Sequence, residues 1–107
     1  MNKIYVFDAC ALIALLSKET GYENVEKIIN EAKTKKVKII LHIQINAEIT
    51  DELIIKAGNL KRKYKMSLAD SIGLGETIIC NGTFVTADHH ELDIVNKKEN
   101  ISFTWIR

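Results

Sequence analysis

Four carboxylates occupy positions from which this sequence could do chemistry. Asp8 follows the apolar run Ile4-Tyr5-Val6-Phe7, and Asp88 follows Phe84-Val85-Thr86-Ala87. Glu48 comes just after the apolar stretch 37–45, and Asp70 stands three residues after Ser67. An acid placed directly after a buried strand is costly unless it is exposed, paired or bound to a metal. Carboxylates brought together repel one another at neutral pH. A hard divalent cation removes that repulsion, and an oxygen-only ligand set suits Mg²⁺ or Mn²⁺. Each acid also has a simpler role open to it. Asp8 can cap the following helix, and Asp70 can close a Ser67-x-x-Asp70 capping box. Asp88 can serve as a turn residue before His89-His90, and Glu48 as a solvated surface acid.

The elements that must position these acids alternate between strand-like and helix-like stretches. Residues 4–7 and 37–45 read as buried strands, 83–86 as a third, and 101–105 as a last strand with one face more polar. Helices are expected over 9–16 and over 23–35, where Val25, Ile28, Ile29 and Ala32 recur at helical spacing. A third is expected after Thr50, to about Tyr64, with Leu53, Ala57, Leu60 and Tyr64 on one face. A fourth covers 68–80, opened by Ser67 and stopped by Asn81-Gly82, and a short one is expected over 92–95. Strands alternating with helices imply an α/β fold, a central, mostly parallel four-stranded sheet flanked by helices. In such sheets sites form beyond the carboxyl ends of the strands, which is where Asp8, Glu48 and Asp88 would sit.

The 107 residues are read as one domain, 1–107. The net charge of +1 gives no global argument for nucleic acid. Two local basic runs, Lys56 with Lys61, Arg62, Lys63 and Lys65, and Lys33 with Lys35, Lys36 and Lys38, could meet phosphates or simply be solvated faces. Cys10 and Cys80 form no zinc-type cluster and are expected to be buried thiols. No stretch approaches the ~20 apolar residues of a membrane span. Asp8 interrupts the apolar start that would otherwise look like a signal peptide, so a cytoplasmic protein is expected. His89 and His90 are expected to be a solvated turn pair.

Three segments together resemble the PIN-domain family, and the VapC-type toxin ribonucleases in particular. Val6-Phe7-Asp8-Ala9-Cys10-Ala11-Leu12-Ile13 is similar to the family's opening, Ser67-Leu68-Ala69-Asp70-Ser71 to its S-L-A-D segment, and Phe84-Val85-Thr86-Ala87-Asp88 to its V-T-x-D segment. Trp105-Ile106 resembles its usual end. The resemblance implies a small PIN-like, Rossmann-like fold. It further implies a Mg²⁺- or Mn²⁺-dependent endoribonuclease, the toxin of a toxin–antitoxin pair, with RNA as substrate and an antitoxin protein as partner. Asp8, Asp70 and Asp88 match the family's metal-site acids, and Glu48 is placed as its second acid. The chain departs from the family in two ways. Ala9 and Cys10 stand where a hydroxyl residue usually follows the first Asp, and Glu48 is almost immediately followed by Asp51-Glu52, as if an internal segment were missing.

That shortening motivates a second reading, a catalytically degenerate relative that acts only by binding an antitoxin or another copy. A receiver-like phosphate-binding domain is a third. No glycine-rich loop follows the first strand, and no lysine follows a late strand, as that reading would need. The shortening also leaves the strand 37–45 at an edge and should uncover Leu53, Ile54 and Leu60. A homodimer or higher oligomer is therefore expected.

Overall fold

The computed structural model describes residues 3–33, 37–41 and 50–107. In chain order these form β1 (Lys3–Phe7), α1 (Ala9–Ser17), α2 (Tyr22–Lys33) and β2 (Val37–Leu41), then α3 (Asp51–Lys63), α4 (Leu68–Cys80), β3 (Thr83–Thr86), α5 (His89–Lys98) and β4 (Ser102–Trp105). The strands pair in the order β2-β1-β3-β4, and every pairing is parallel. This is a parallel α/β sheet of Rossmann-like kind.

Alternation along the strands sends side chains to two separate cores. Tyr5, Phe7 and Val85 face α1 and α2, meeting Ala11, Ala14, Val25 and Ile28. Val6 and Phe84 face the other way, against Leu60, Met66, Leu74, Leu92 and Val95 from the α3–α5 side. β1 and β3 are buried on both faces, which is why their sequences read as continuous apolar runs.

Four of the helices start on a residue whose side chain accepts from the first turn. Asp8, Thr50, Ser67 and Asp88 cap α1, α3, α4 and α5. Asn81, in the left-handed conformation, ends α4. At Gly75 an added Cβ would lie 3.2 Å from the Ala57 nitrogen, so glycine is what lets α4 lie close against α3.

Several expectations need correction. The short helix placed over 92–95 is the ten-residue α5. Asp88 caps it, so the His89-His90 pair begins a helix rather than sitting in a turn. The last strand begins at Ser102. The second strand is described as far as Leu41, and the rest of the expected 37–45 stretch lies outside the described residues. Cys10 is exposed, and Cys80 is half-buried against the second core, so neither is a fully buried thiol. Leu53 and Leu60 are buried within the chain, packed in the α3–α4 region, while Ile54 is 58% exposed. Among the described residues no helix is long and apolar enough to cross a membrane.

Candidate metal centre

The parallel pairing of β1 and β3 carries Asp8 and Asp88 to the same end of the sheet. Asp8 extends the ladder by one bond, its N–H donating to the Val85 carbonyl at 3.2 Å. Ser67 opens α4 beside them, which puts Asp70, the third residue of that helix, over the strand ends. Asp8, Cys10, Asp70, Asp88 and Glu91 all line one cavity of about 320 Å³.

Within that cavity the carboxylates are not equivalent. One oxygen each from Asp70, Asp88 and Glu91 lies within 4.8 Å of the other two. Asp8 lines the same cavity but stands outside this triplet, and its carboxylate is occupied. Oδ1 accepts from the Ala11 N–H at 2.9 Å, and Oδ2 accepts from the Thr86 hydroxyl at 2.5 Å. Thr86 also accepts from the Asp88 N–H at 3.1 Å, so one buried hydroxyl joins the acid after β1 to the acid after β3. The residue after Asp8 is Ala9, without a hydroxyl, and the hydroxyl on this carboxylate comes from Thr86.

Glu91 is the acid that the sequence reading missed. It stands three residues after Asp88 and mirrors Asp70, which stands three after Ser67; both are third residues of capped helices. The Asp88-x-x-Glu91 spacing was the available signal, since it is the capping-box spacing that was noticed at Ser67-x-x-Asp70. A helix limited to 92–95 leaves Glu91 outside it, whereas α5 begins at His89. Glu48 lies outside the described residues.

Opposing forces act on these acids. The amino ends of α4 and α5 carry partial positive charge and favour carboxylates. Burial and mutual repulsion work the other way. Burial above all, with the charges of Asp8, Asp88 and Glu91 added, pushes Asp70 up to about 6 despite a hydrogen bond with Ser67. Burial also raises Asp8, while the bonds from Thr86 and Ala11 pull it back. The Cys10 thiol is raised by burial and then by the negative charge of Asp8, Asp70 and Asp88, which disfavours the thiolate. The cluster is thus a set of half-buried oxygen donors with unrelieved repulsion, with no nitrogen or thiolate among them. That donor set fits a hard divalent cation such as Mg²⁺ or Mn²⁺.

The histidines are not part of it. His89 faces away, its ring stacked on Trp105 with centroids 4.1 Å apart. Its Nδ1 lies 2.8 Å from Asp93 Oδ1 and its Nε2 2.7 Å from the Arg107 carbonyl oxygen. Both partners are acceptors, so only the ring protonated on both nitrogens satisfies both, and the two bonds raise the His89 pKa. His90 is exposed. Much of the α3 basic run is also engaged. Lys61 donates to the Met66 carbonyl, Arg62 to Asn59, and Lys63 lies 3.7 Å from Glu99. In the other basic run, Lys35 and Lys36 lie outside the described residues.

Neither a protein-family model nor a curated protein sequence matches the chain. Among solved structures, the fold is similar to that of a chain from a structure described as a toxin-antitoxin complex from Klebsiella pneumoniae. The TM-score is 0.60 at 15% identity, over 96% of this chain and 98% of that one. At that identity the likeness is one of fold.

Proposed function

We propose that the chain is a PIN-type, divalent-metal-dependent endoribonuclease, the toxin of a toxin–antitoxin pair, and that its metal acids are Asp70, Asp88 and Glu91, backed by Asp8. Glu48 completes this set as a proposal from the sequence alone. The observation that carries the reading is the triplet of carboxylate oxygens within 4.8 Å of one another at the carboxyl end of a parallel sheet. The fold likeness to a chain of a toxin-antitoxin complex supports the biological setting. A bound Mg²⁺ or Mn²⁺ supplies Lewis-acid stabilisation of a phosphodiester and a more acidic water. The chain's own part is to hold the oxygens of Asp70, Asp88 and Glu91 ready for the cation. Asp8 and Thr86 hold the strand ends in place around them.

Hydrolysis of a dye-quenched single-stranded RNA tests the proposal. Cleavage is expected with Mn²⁺, absent with chelator, and lost in Asp70→Asn. Equal cleavage by Asp70→Asn, or none by the wild type, would overturn it. If the wild type cleaves nothing, a degenerate binding protein becomes the better reading. One observation favours partner binding in either case. α1 is apolar along almost its whole length, yet its buried residues are Ala11 and Ala14, and Leu16 is 83% exposed. An antitoxin or a second copy of the chain would cover that face. Sedimentation of the isolated chain is expected to show a dimer or larger; a stable monomer at micromolar concentration leaves the antitoxin as the proposed cover.

A further inference from the structure

His89 stands between Asp88 and Glu91 in the first turn of α5, and its side chain points to the other side of that turn from the cavity. The ring is gripped on three sides, by the Trp105 indole, by Asp93 one helical turn on, and by the Arg107 carbonyl. What it grips is firmly seated. The Ile106 N–H donates to the Thr86 carbonyl at 3.1 Å, and the Asn24 amide donates to the Ile106 carbonyl at 2.9 Å. The Arg107 guanidinium donates to the Thr20 carbonyl at 2.8 Å and lies 3.7 Å from Glu19. Gly21 packs so closely that an added Cβ would fall 2.0 Å from the Ile106 carbonyl oxygen, and its φ of +95° is one that side chains resist. Residues 105–107 thus form a strap fixed to the α1–α2 turn and to β3, the same strand end whose Thr86 holds Asp8 and Asp88.

The first turn of a helix is where fraying begins, because its N–H groups lack partners within the helix. In α5 that turn carries two of the three clustered acids. Its core contacts, Leu92 and Val95, come later in the helix. The Asp88 cap on the Glu91 N–H, at 3.2 Å, holds the turn from inside. The His89 ring is its tie to the rest of the fold on the outer side.

We propose that His89 is a positioning residue for the acidic cluster. By fastening the first turn of α5 to the strap 105–107, it sets the separation of the Asp88 and Glu91 carboxylates before a cation arrives. This inference rests on the cluster being a cation site. Groups that orient metal ligands from behind change affinity by about 10–100-fold when removed.

The test uses the full chain and Mn²⁺ alone, followed by calorimetry and by the electron paramagnetic resonance line shape of the bound ion. His89→Phe keeps the stack on Trp105 and removes both hydrogen bonds. Tyr64→Phe is the control. It removes the 2.6 Å bond from Tyr64 to Glu99 at the far end of α5, so it loosens the same helix away from the cluster. His89→Phe is expected to weaken Mn²⁺ binding by about tenfold or more and to alter the line shape at saturating Mn²⁺. Tyr64→Phe should stay within about twofold of wild type with an unchanged line shape, whatever either variant does to the metal-free melting temperature. Should His89→Phe fail to fold, Asp93→Ala, at an exposed position, carries the same expected direction. Wild-type affinity and line shape in the His89 variant, or an equal loss in Tyr64→Phe, would overturn the proposal. Failure of the wild type to bind Mn²⁺ would instead sink the cation site itself, and the positioning role with it.

Discussion

Asp8 and the acids of α4 and α5 line one cavity, yet the chain treats them in opposite ways. Asp8 is the more buried, at 6% exposure, and has a donor on each oxygen. Asp70, Asp88 and Glu91 are only half-buried, each with one oxygen within 4.8 Å of the other two, and Asp70 bears the added repulsion of Asp8, Asp88 and Glu91. The first arrangement spends a carboxylate on holding structure together. The second stores unfavourable charge that a bound cation would relieve. Acids that look alike in sequence can therefore divide into a fastening and a binding group; Asp88 caps a helix as Asp8 does, but of these acids Asp8 alone is buried with a donor on both oxygens.

The largest effect is expected from Asp8→Ala. It deletes the α1 cap and strands the buried Thr86 hydroxyl, at a cost of about 3 kcal/mol in all. A fall in melting temperature of more than about 10 °C should follow for a domain of this size. A shift of only a degree or two would show that Asp8 fastens nothing. Thr86→Val probes the joint between the two groups. It leaves Asp8 Oδ2 and the Asp88 N–H without the partner each has now. Chemical denaturation should show a loss of about 2 kcal/mol with an unchanged m-value.

Asp70→Asn should do the reverse of Asp8→Ala. Removing a crowded charge is expected to stabilise the metal-free protein by about 1 kcal/mol, after allowing for partial exposure, while Mn²⁺ affinity falls by at least about tenfold. A lower melting temperature in this variant would contradict the picture of unrelieved repulsion.

pH gives the smallest effect and the clearest sign. A carboxyl raised to about 6 in the folded state binds its proton more tightly there than in the unfolded chain. Its contribution to stability is present at and below about pH 4 and is lost as pH rises through about 6. Between about pH 5 and 7.5 the metal-free chain should thus lose a few degrees from this group, whereas Mn²⁺ affinity should increase as Asp70 ionises. Asp70→Asn should flatten both trends. Parallel trends in stability and affinity would show that another group governs one of them.

Much of this was legible in the sequence, for physical reasons. Ile4-Tyr5-Val6-Phe7 and Thr83-Phe84-Val85-Thr86 could be read as buried strands because both of their faces meet helices. Ser67 and Asn81-Gly82 bounded α4 because capping is a local property. Asp70 and Asp88 stand out as candidates in the sequence because each follows a recognisable boundary. Glu91 is not evident from the sequence because its placement depends on where α5 begins, and the simpler role open to Asp88 there is a turn residue, not a helix cap. The His89 grip was beyond sequence reasoning, since its partners Trp105 and Arg107 arrive only when β4 pairs with β3. The exposure of Cys10 follows from the same geometry: Ala11 and Ala14 turn inward, and Cys10 turns toward the acids.

The proposed cation site lies between α4 and α5, with Glu91 a member. A calorimetric Mn²⁺ titration at pH 7.5, wild type against Glu91→Gln, tests it most directly, because Glu91 distinguishes this cluster from the aspartate trio that the sequence suggests. The wild type should bind and saturate, and Glu91→Gln should bind at least about tenfold more weakly with its fold intact. Superimposable isotherms, or no binding by the wild type, would contradict the claim.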